Sequence, residues 1–211
     1  MGSEPIDAKP MEAPALTPLT LNNRLAGNPG QAPKYAVTVK NNAGDDVILG
    51  DPKATRALVA LMNVHAVNGG AACHWGGPAA LAEIMASIHG FMFSTNDRPW
   101  YDAYNFVNDA GHTENGVYAL RANLGFDGLT FEDLRGFRSI ESKLTGHGES
   151  HLNPEGVLLS NGPLSSAVGQ CQGLAMADKT AGNDRVTILV LSDGMTQTLV
   201  GLQMNLSTLR I

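Results

Sequence analysis

Cysteine, charge and aromatic side chains are all scarce in this sequence. Only Cys73 and Cys171 occur in 211 residues, so a small secreted scaffold built on disulfides is excluded. Charged residues make up 16% and aromatics 6%. Lys plus Arg number 14 against 20 for Asp plus Glu, the net charge is -6, and no long basic run occurs. Nucleic acid is therefore not an expected partner, because phosphate binding needs a positive footprint. Apolar stretches such as Val186 to Leu191 fall far short of the ~20 residues that span a bilayer, so no membrane is expected either. Met1-Gly2-Ser3-Glu4-Pro5 lacks the basic and apolar regions of a signal peptide, and a cytoplasmic location is expected.

Glycine and small apolar residues are what the chain has. With 24 glycines and 43% hydrophobic residues, it reads as packed rather than disordered. Six of the 11 prolines lie in the first 33 residues, which points to an extended arm lying over a neighbour. Alternating Tyr35, Val37 and Val39, a turn-like Asn41 to Asp45, and Val47-Ile48-Leu49 predict a short hairpin. Residues 1–50 are accordingly an arm plus hairpin, and 51–211 a separate unit.

From Pro52 the period becomes helical: Leu58, Leu61, Met62 and His65 recur on one face, with Asp51 as N-cap. A second helix is expected after Pro78, with Leu81, Ile84, Met85 and Ile88 on its apolar face. A third follows Gly111, a short one opens at Thr130 with Glu132 and Asp133 in its first turn, and a small-residue helix runs from Ser165 to Lys179. In the last, Ala167, Gly169, Gly173 and Ala175 imply a closely packed neighbour. Val186 to Leu191 is rich in β-branched residues and bounded by polar turns, as in a buried parallel strand. The class is α/β.

Candidate chemistry gathers at the glycine-rich turns. The strand ends in Ser192-Asp193-Gly194, where an α/β sheet binds ligands; Asp193 suits a metal, and Gly194 allows close backbone approach. Asn161-Gly162-Pro163-Leu164-Ser165-Ser166 leads into the small-residue helix. Its N-terminal amides suit an anion, or a cap from Ser165 or Ser166. His112 and His147 each follow a glycine in a loop and are open to ligands, whereas His65 and His89 lie within helices as structural residues. A competing pattern is His147-Gly-Glu149-Ser-His151 with Cys73-His74, a possible hydrolytic metal set. Gly148 and Pro154 oppose the helix that would align its histidines.

In order, these segments resemble the thiamine-diphosphate-binding N-terminal domain of transketolases, from about Ala54 to Gly194. Asn108 to His112 and Gly116 to Leu120 are similar to the family's Gly-His turn and following helix. Leu129 to Arg138 matches a short helix ending in Phe-Arg. Ser142 to Glu149 resembles the Gly-His-Pro-Glu loop, with Gly148 for proline. Gly162-Pro163-Leu164 resembles the turn before the small-residue helix, and Ser192-Asp193-Gly194 the start of a Gly-Asp-Gly metal motif.

The resemblance implies a partial thiamine-diphosphate-binding fold, a mostly parallel sheet flanked by helices and cut short at the C-terminus. It implies thiamine diphosphate with Mg²⁺ or Ca²⁺, the metal held by Asp193. His112 would lie at the cofactor and His147 would face cofactor and substrate, both in catalytic positions. Gly162, Pro163 and Leu164 would border the aminopyrimidine, and Gly194 the diphosphate. Two-carbon ketol transfer between sugar phosphates would be the reaction.

The departures point to an isolated chain without activity. The family's early Gly-His falls near Gly70-Ala71, with His74 out of register. Thr198 stands where the family carries Glu, and no acidic residue follows Met195. The expected partner is a second copy in a homodimer, or a partner chain carrying the pyrimidine-binding domain. Alternatives are a non-catalytic scaffold or regulatory relative, or the first component of a pyruvate dehydrogenase-type enzyme.

Overall fold

A computed structural model describes residues 27–94, 97–153 and 156–198. Most of the proline-rich arm, with Pro5, Pro10, Pro14 and Pro18, lies outside the described residues. The hairpin forms as expected. Strand β1 (Ala36–Lys40) pairs antiparallel with β2 (Asp46–Gly50), Val39 opposite Val47. Asn41 builds the turn, its Oδ1 accepting the N–H groups of Ala43 and Asp45 at 2.9 Å each. The preceding segment is tied to the core by Asn123, whose amide exchanges hydrogen bonds of 2.8 and 2.7 Å with the Tyr35 backbone.

Helix α1 (Pro52–Asn68) opens under Asp51, which accepts the Lys53 N–H at 2.8 Å, with proline in the first turn as anticipated. Its buried stripe is Thr55, Val59, Met62 and Ala66. That corrects the expected face: Leu61 is 58% exposed, and His65 is exposed rather than in the core. The stripe is chosen by what it meets, because Val59, Met62 and the small Ala66 pack with Tyr118, Ala119 and Ala122, and this selection is invisible to periodicity. The segment around Pro78 splits at Leu81 into α2 (Gly76–Ala80) and α3 (Ala82–Phe93). Here too the face is rotated, burying Ala82, Met85, Ala86, His89 and Met92 while Ile84 stays 50% exposed.

After α4 (Trp100–Ala103) comes β3 (Tyr104–Asn108), which the sequence reading missed, parallel to β4 (Val186–Val190) with Phe106 opposite Ile188. Parallel pairing among the described residues is confined to these two strands. β3 is buried from Asn105 onward, whereas in β4 only Val190 is buried and Val186 is 54% exposed. The apolar run is thus a parallel strand with an open flank.

Helix α5 (Glu114–Asn123) is buried along its whole length. One cluster joins it to α1, Leu129, Leu134, Phe137 and Leu144; another joins it to α3, Trp100, Phe106, Phe126 and Val190. The Thr130 segment forms one 3₁₀ turn, Asp133–Gly136, with Asp133 accepting the Thr130 N–H at 2.7 Å. The chain continues through α6 (Ser166–Ala181), β4 and α7 (Asp193–Thr198). On α6, Gly169 and Gly173 have nothing within 4 Å of where a Cβ would stand. No close neighbour stands there among the described residues, whereas Ala167 of the same expected stripe is buried with Val107. No helix among them is long and apolar enough to cross a membrane.

Candidate functional site

The site grows from the carboxyl end of β3. Asp109, 1% exposed, donates its N–H to the Val190 carbonyl at 3.2 Å and accepts the N–H groups of Ser165 at 2.7 Å and Ala167 at 2.8 Å. Asp109, and neither Ser165 nor Ser166, therefore caps α6. A carboxylate is favoured there by the amides and the helix dipole. The helix terminus that the sequence offered to a ligand anion is filled by the protein itself. Ser165, freed from capping, takes a left-handed φ of 74° and donates its hydroxyl to the Met195 carbonyl, tying α6 to the turn of Asp193 and Gly194.

A buried amide lattice then aligns the loops. Asn161 donates to the Asn108 carbonyl at 2.9 Å and to Glu114 at 3.0 Å, and its oxygen accepts the Gly148 N–H at 2.7 Å. Asn108 adds a bond of 2.8 Å to the same Glu114 oxygen. Burial pushes the Glu114 carboxyl above the ordinary glutamate range, against the pull of the Asn108 amide, Arg121 and Asn161. Beneath it, Arg121 is held down to about 10, chiefly by burial. Its Nε donates to His89 at 3.3 Å, and its guanidinium lies 4.6 Å from the Phe126 ring centroid. His89 donates from Nδ1 to the Met85 carbonyl at 2.9 Å, and burial takes its imidazole down to about 3. It is the structural histidine expected from its helical position.

Glycines let the loops close on one another. A Cβ on Gly111 would stand 2.5 Å from Asn161 Oδ1 and 2.8 Å from the His147 ring, and one on Gly162, at φ 128°, would stand 3.1 Å from His147 Nδ1. A Cβ on Gly77 would stand 2.7 Å from the Thr113 methyl carbon and 3.5 Å from His112 Nε2.

Three histidines converge here. His112 and His74 lie with ring centroids 4.8 Å apart. Burial first, then the neighbouring His74 and His147, lowers the His112 pKa. For His147, burial and then Arg138 lower it, while Glu149 pulls upward. His74 is the residue sequence reasoning set aside as out of register. The fold delivers it, its carbonyl fixed by the amides of Asn63 at 2.9 Å and Asn115 at 3.0 Å. Its only signal in the sequence was the Gly76-Gly77 pair two residues on, since His74 itself is flanked by Cys73 and Trp75 rather than by glycine.

The structure thus brings together His112, His147 and Gly162. Pro163 and Leu164 are exposed on the turn into α6. Asp193 and Gly194 stand one strand over, beyond β4, joined to the cluster through the Ser165–Met195 bond. The hydrolytic metal set finds no support: Glu149 and His151 approach to 3.8 Å in surface turns. Among the described residues no cluster of His, Cys, Asp or Glu offers three ligands. Asp193 alone suits a smaller role, since Mg²⁺ is commonly held by one or two carboxylates with phosphate oxygens and water completing its shell.

Residues 52–201 match the family described as transketolase, thiamine diphosphate binding domain. The chain belongs to this transketolase family. The transketolase of Aquifex aeolicus is 33% identical over 133 residues, 57% of this chain and 19% of that protein. That of Dictyostelium discoideum is 31% identical over 153 residues, 64% of this chain and 23% of the relative. The crystal structure of the Campylobacter jejuni transketolase superposes with a TM-score of 0.56 at 28% identity, covering 69% of this chain and 24% of that one. A Pichia stipitis transketolase in complex with sedoheptulose-7-phosphate gives 0.53 at 29%, covering 69% and 23%. The chain spans about a fifth of the length of the curated relatives it matches. The described elements are thus part of the α/β fold of a transketolase diphosphate-binding domain.

Proposed function

We propose that this domain binds thiamine diphosphate with Mg²⁺ or Ca²⁺ beyond the carboxyl ends of β3 and β4, in the service of two-carbon ketol transfer between sugar phosphates. The observation that carries the reading is the convergence of His74, His112 and His147 on loops that glycine lets close. Both loop histidines whose pKa is lowered are neutral at neutral pH. Each can donate from one ring nitrogen and accept at the other, so His112 and His147 can hold and move a proton on a substrate oxygen. Gly162 offers backbone, and Pro163 and Leu164 an apolar edge, for the aminopyrimidine. Asp193 places one carboxylate for the metal, with Gly194 leaving room for phosphate. When bound, the cofactor supplies the nucleophilic carbon and the electron sink. Two free thiols fit a reducing cytoplasm.

Turnover is assigned to an assembly rather than to this chain by itself. Thr198 occupies the position of the activating glutamate, and the assembly is a homodimer or includes a partner chain carrying a pyrimidine-binding domain. The same Thr198 is what favours the second reading, a non-catalytic scaffold. Calorimetric titration with thiamine diphosphate and Mg²⁺, followed by a ketol-transfer assay, separates them. Binding that disappears in Asp193→Ala and His112→Ala is expected. Turnover by the chain alone refutes the assignment to an assembly, and no binding even beside a pyrimidine-binding partner leaves the scaffold.

A further inference from the structure

Helix α5 carries a polar stripe through the core. Glu114, Tyr118 and Arg121 stand four and three residues apart, so they share one face of the helix, and all three are buried. Burying polar groups costs stability unless each is bonded. Each of the three reaches the same loop, residues 145–161. Glu114 accepts the Asn161 amide at 3.0 Å. Asn161 in turn holds Gly148, accepting its N–H at 2.7 Å and donating its own N–H to its carbonyl at 3.0 Å. Tyr118 donates its hydroxyl to the His147 carbonyl at 3.4 Å, where Thr145 adds a bond of 2.5 Å. Arg121 donates to the Gly156 carbonyl, farther along the loop.

The loop has little else to fix it. Between the 3₁₀ turn Asp133–Gly136 and α6 the described residues form no helix or strand, so contacts of this kind decide where His147 stands. The tolerance is narrow. The His147 ring occupies space that a Cβ on Gly111 or Gly162 would need, and a Cβ on Gly148 would stand 2.9 Å from Asn161 Nδ2 and 3.2 Å from Glu114 Cδ. Gly148 stands where the resembling family loop has proline, and a proline would have no N–H for Asn161 to accept. The bond from Gly148 to Asn161, backed by Glu114, thus does here what a rigid ring would do. Burial pushes the Tyr118 phenol above its ordinary range, with Glu114 adding to it, so the hydroxyl stays a donor.

We propose that Glu114 and Tyr118 are positioning residues for His147, fixing the main chain on both sides of its ring: Tyr118 at the His147 carbonyl, and Glu114, through Asn161, at the Gly148 N–H. Both act through the backbone rather than on the imidazole. Their weight in catalysis rests on the function proposed above, whereas their hold on the ring does not.

The test follows the His147 ring by NMR in the full chain without ligand. Tyr118→Phe removes one hydroxyl at nearly constant shape, and Glu114→Leu removes the acceptor of Asn161. Burial is the first cause of the low His147 pKa, so a ring released toward solvent titrates nearer the ordinary imidazole value. A rise of about 0.5 unit or more is expected in each variant. Glu114→Gln keeps an oxygen for Asn161 and is expected to restore the wild-type titration, which separates the bond from the charge. Exchange of the Gly148 amide is expected to quicken in the leucine variant and not in the glutamine one. A merely stabilising role would lower the urea midpoint and leave the His147 titration of the folded chain where it is. An unmoved titration in either folded variant overturns the proposal, and Tyr118→Phe decides it if the leucine variant does not fold. A glutamine variant displaced as far as the leucine one overturns it as well. Thiamine diphosphate with Mg²⁺ is then titrated into the wild type. A chain that shows the His147 shifts yet binds no cofactor leaves the positioning role standing and removes the catalytic one.

Discussion

Replacing Asp109 tests whether the fold and the site share one set of bonds. Its carboxylate accepts the Ser165 and Ala167 amides at 2.7 and 2.8 Å from a position 1% exposed. Each such bond to an ionised acceptor contributes about 1.5–3 kcal/mol, and loss of an N-cap costs about 0.5–2 kcal/mol. These figures describe the same contact and do not add. Asp109→Ala, which strands both amides, is expected to cost about 2–4 kcal/mol. Asp109→Asn keeps one oxygen but turns an NH₂ toward the other amide, and is expected to cost about 1–3 kcal/mol. Urea unfolding reads this as a lower midpoint at unchanged slope. Hydrogen exchange at Ser165 and Ala167 accelerates more than at β1 and β2, because the opening is local. A loss below about 0.5 kcal/mol in the alanine variant, or an asparagine variant weaker than the alanine one, refutes the capping role.

Other substitutions and conditions probe the same region. His89 is neutral in the folded chain down to about pH 3, while the unfolded chain takes up its proton near 6.5. Its contribution is therefore complete above the unfolded value and falls by about 1.4 kcal/mol per pH unit as pH drops below it; a His89 ring signal titrating above about pH 5 contradicts this. Gly111→Ala places a carbon 2.5 Å from Asn161 Oδ1 and is expected to cost about 1–3 kcal/mol, with a displaced His147 resonance; an unmoved resonance rejects the packing argument. Asn161→Leu leaves the Gly148 N–H, the Asn108 carbonyl and Glu114 without their partner and is expected to cost about 2–4 kcal/mol by urea unfolding. A loss no larger than that of a surface substitution removes the lattice from the account.

What was legible in the sequence is what is decided locally. The Asn41 turn, the Asp51 cap and the proline at the start of α1 depend on neighbours within a few residues, and all three form. The faces of α1 and α3 came out rotated because a helix that is apolar over much of its girth leaves the choice of stripe to its partners. β3 escaped notice because asparagine occupies two of its five positions, and these polar residues are accommodated by partners elsewhere in the chain. Asn105 donates to Asp178 at 2.7 Å, and Asn108 to Glu114. The nearness of His74 to His112 was not legible for a similar reason: it is set by α1 and α5 through Asn63 and Asn115.

The capped terminus of α6 changes where the charge for a phosphate must come from. A helix start with open amides would have supplied partial positive charge through its dipole, and the glycine-rich turn before α6 reads that way in sequence. With Asp109 seated on those amides, that charge is already answered, and an added anion there would meet a carboxylate. On the function proposed above, the charge would instead come from His112, His147 and a metal held by Asp193. Of these, the histidines respond to pH. Because burial holds both His112 and His147 below their ordinary value, helped by His74 and His147 at the first and by Arg138 and His74 at the second, phosphate affinity should rise as pH falls through their titration, and the bound phosphate should raise both pKa values in return. Titrating inorganic phosphate at a series of pH values measures this linkage. Affinity that does not change with pH would place the anion away from the histidines and return it to a backbone site.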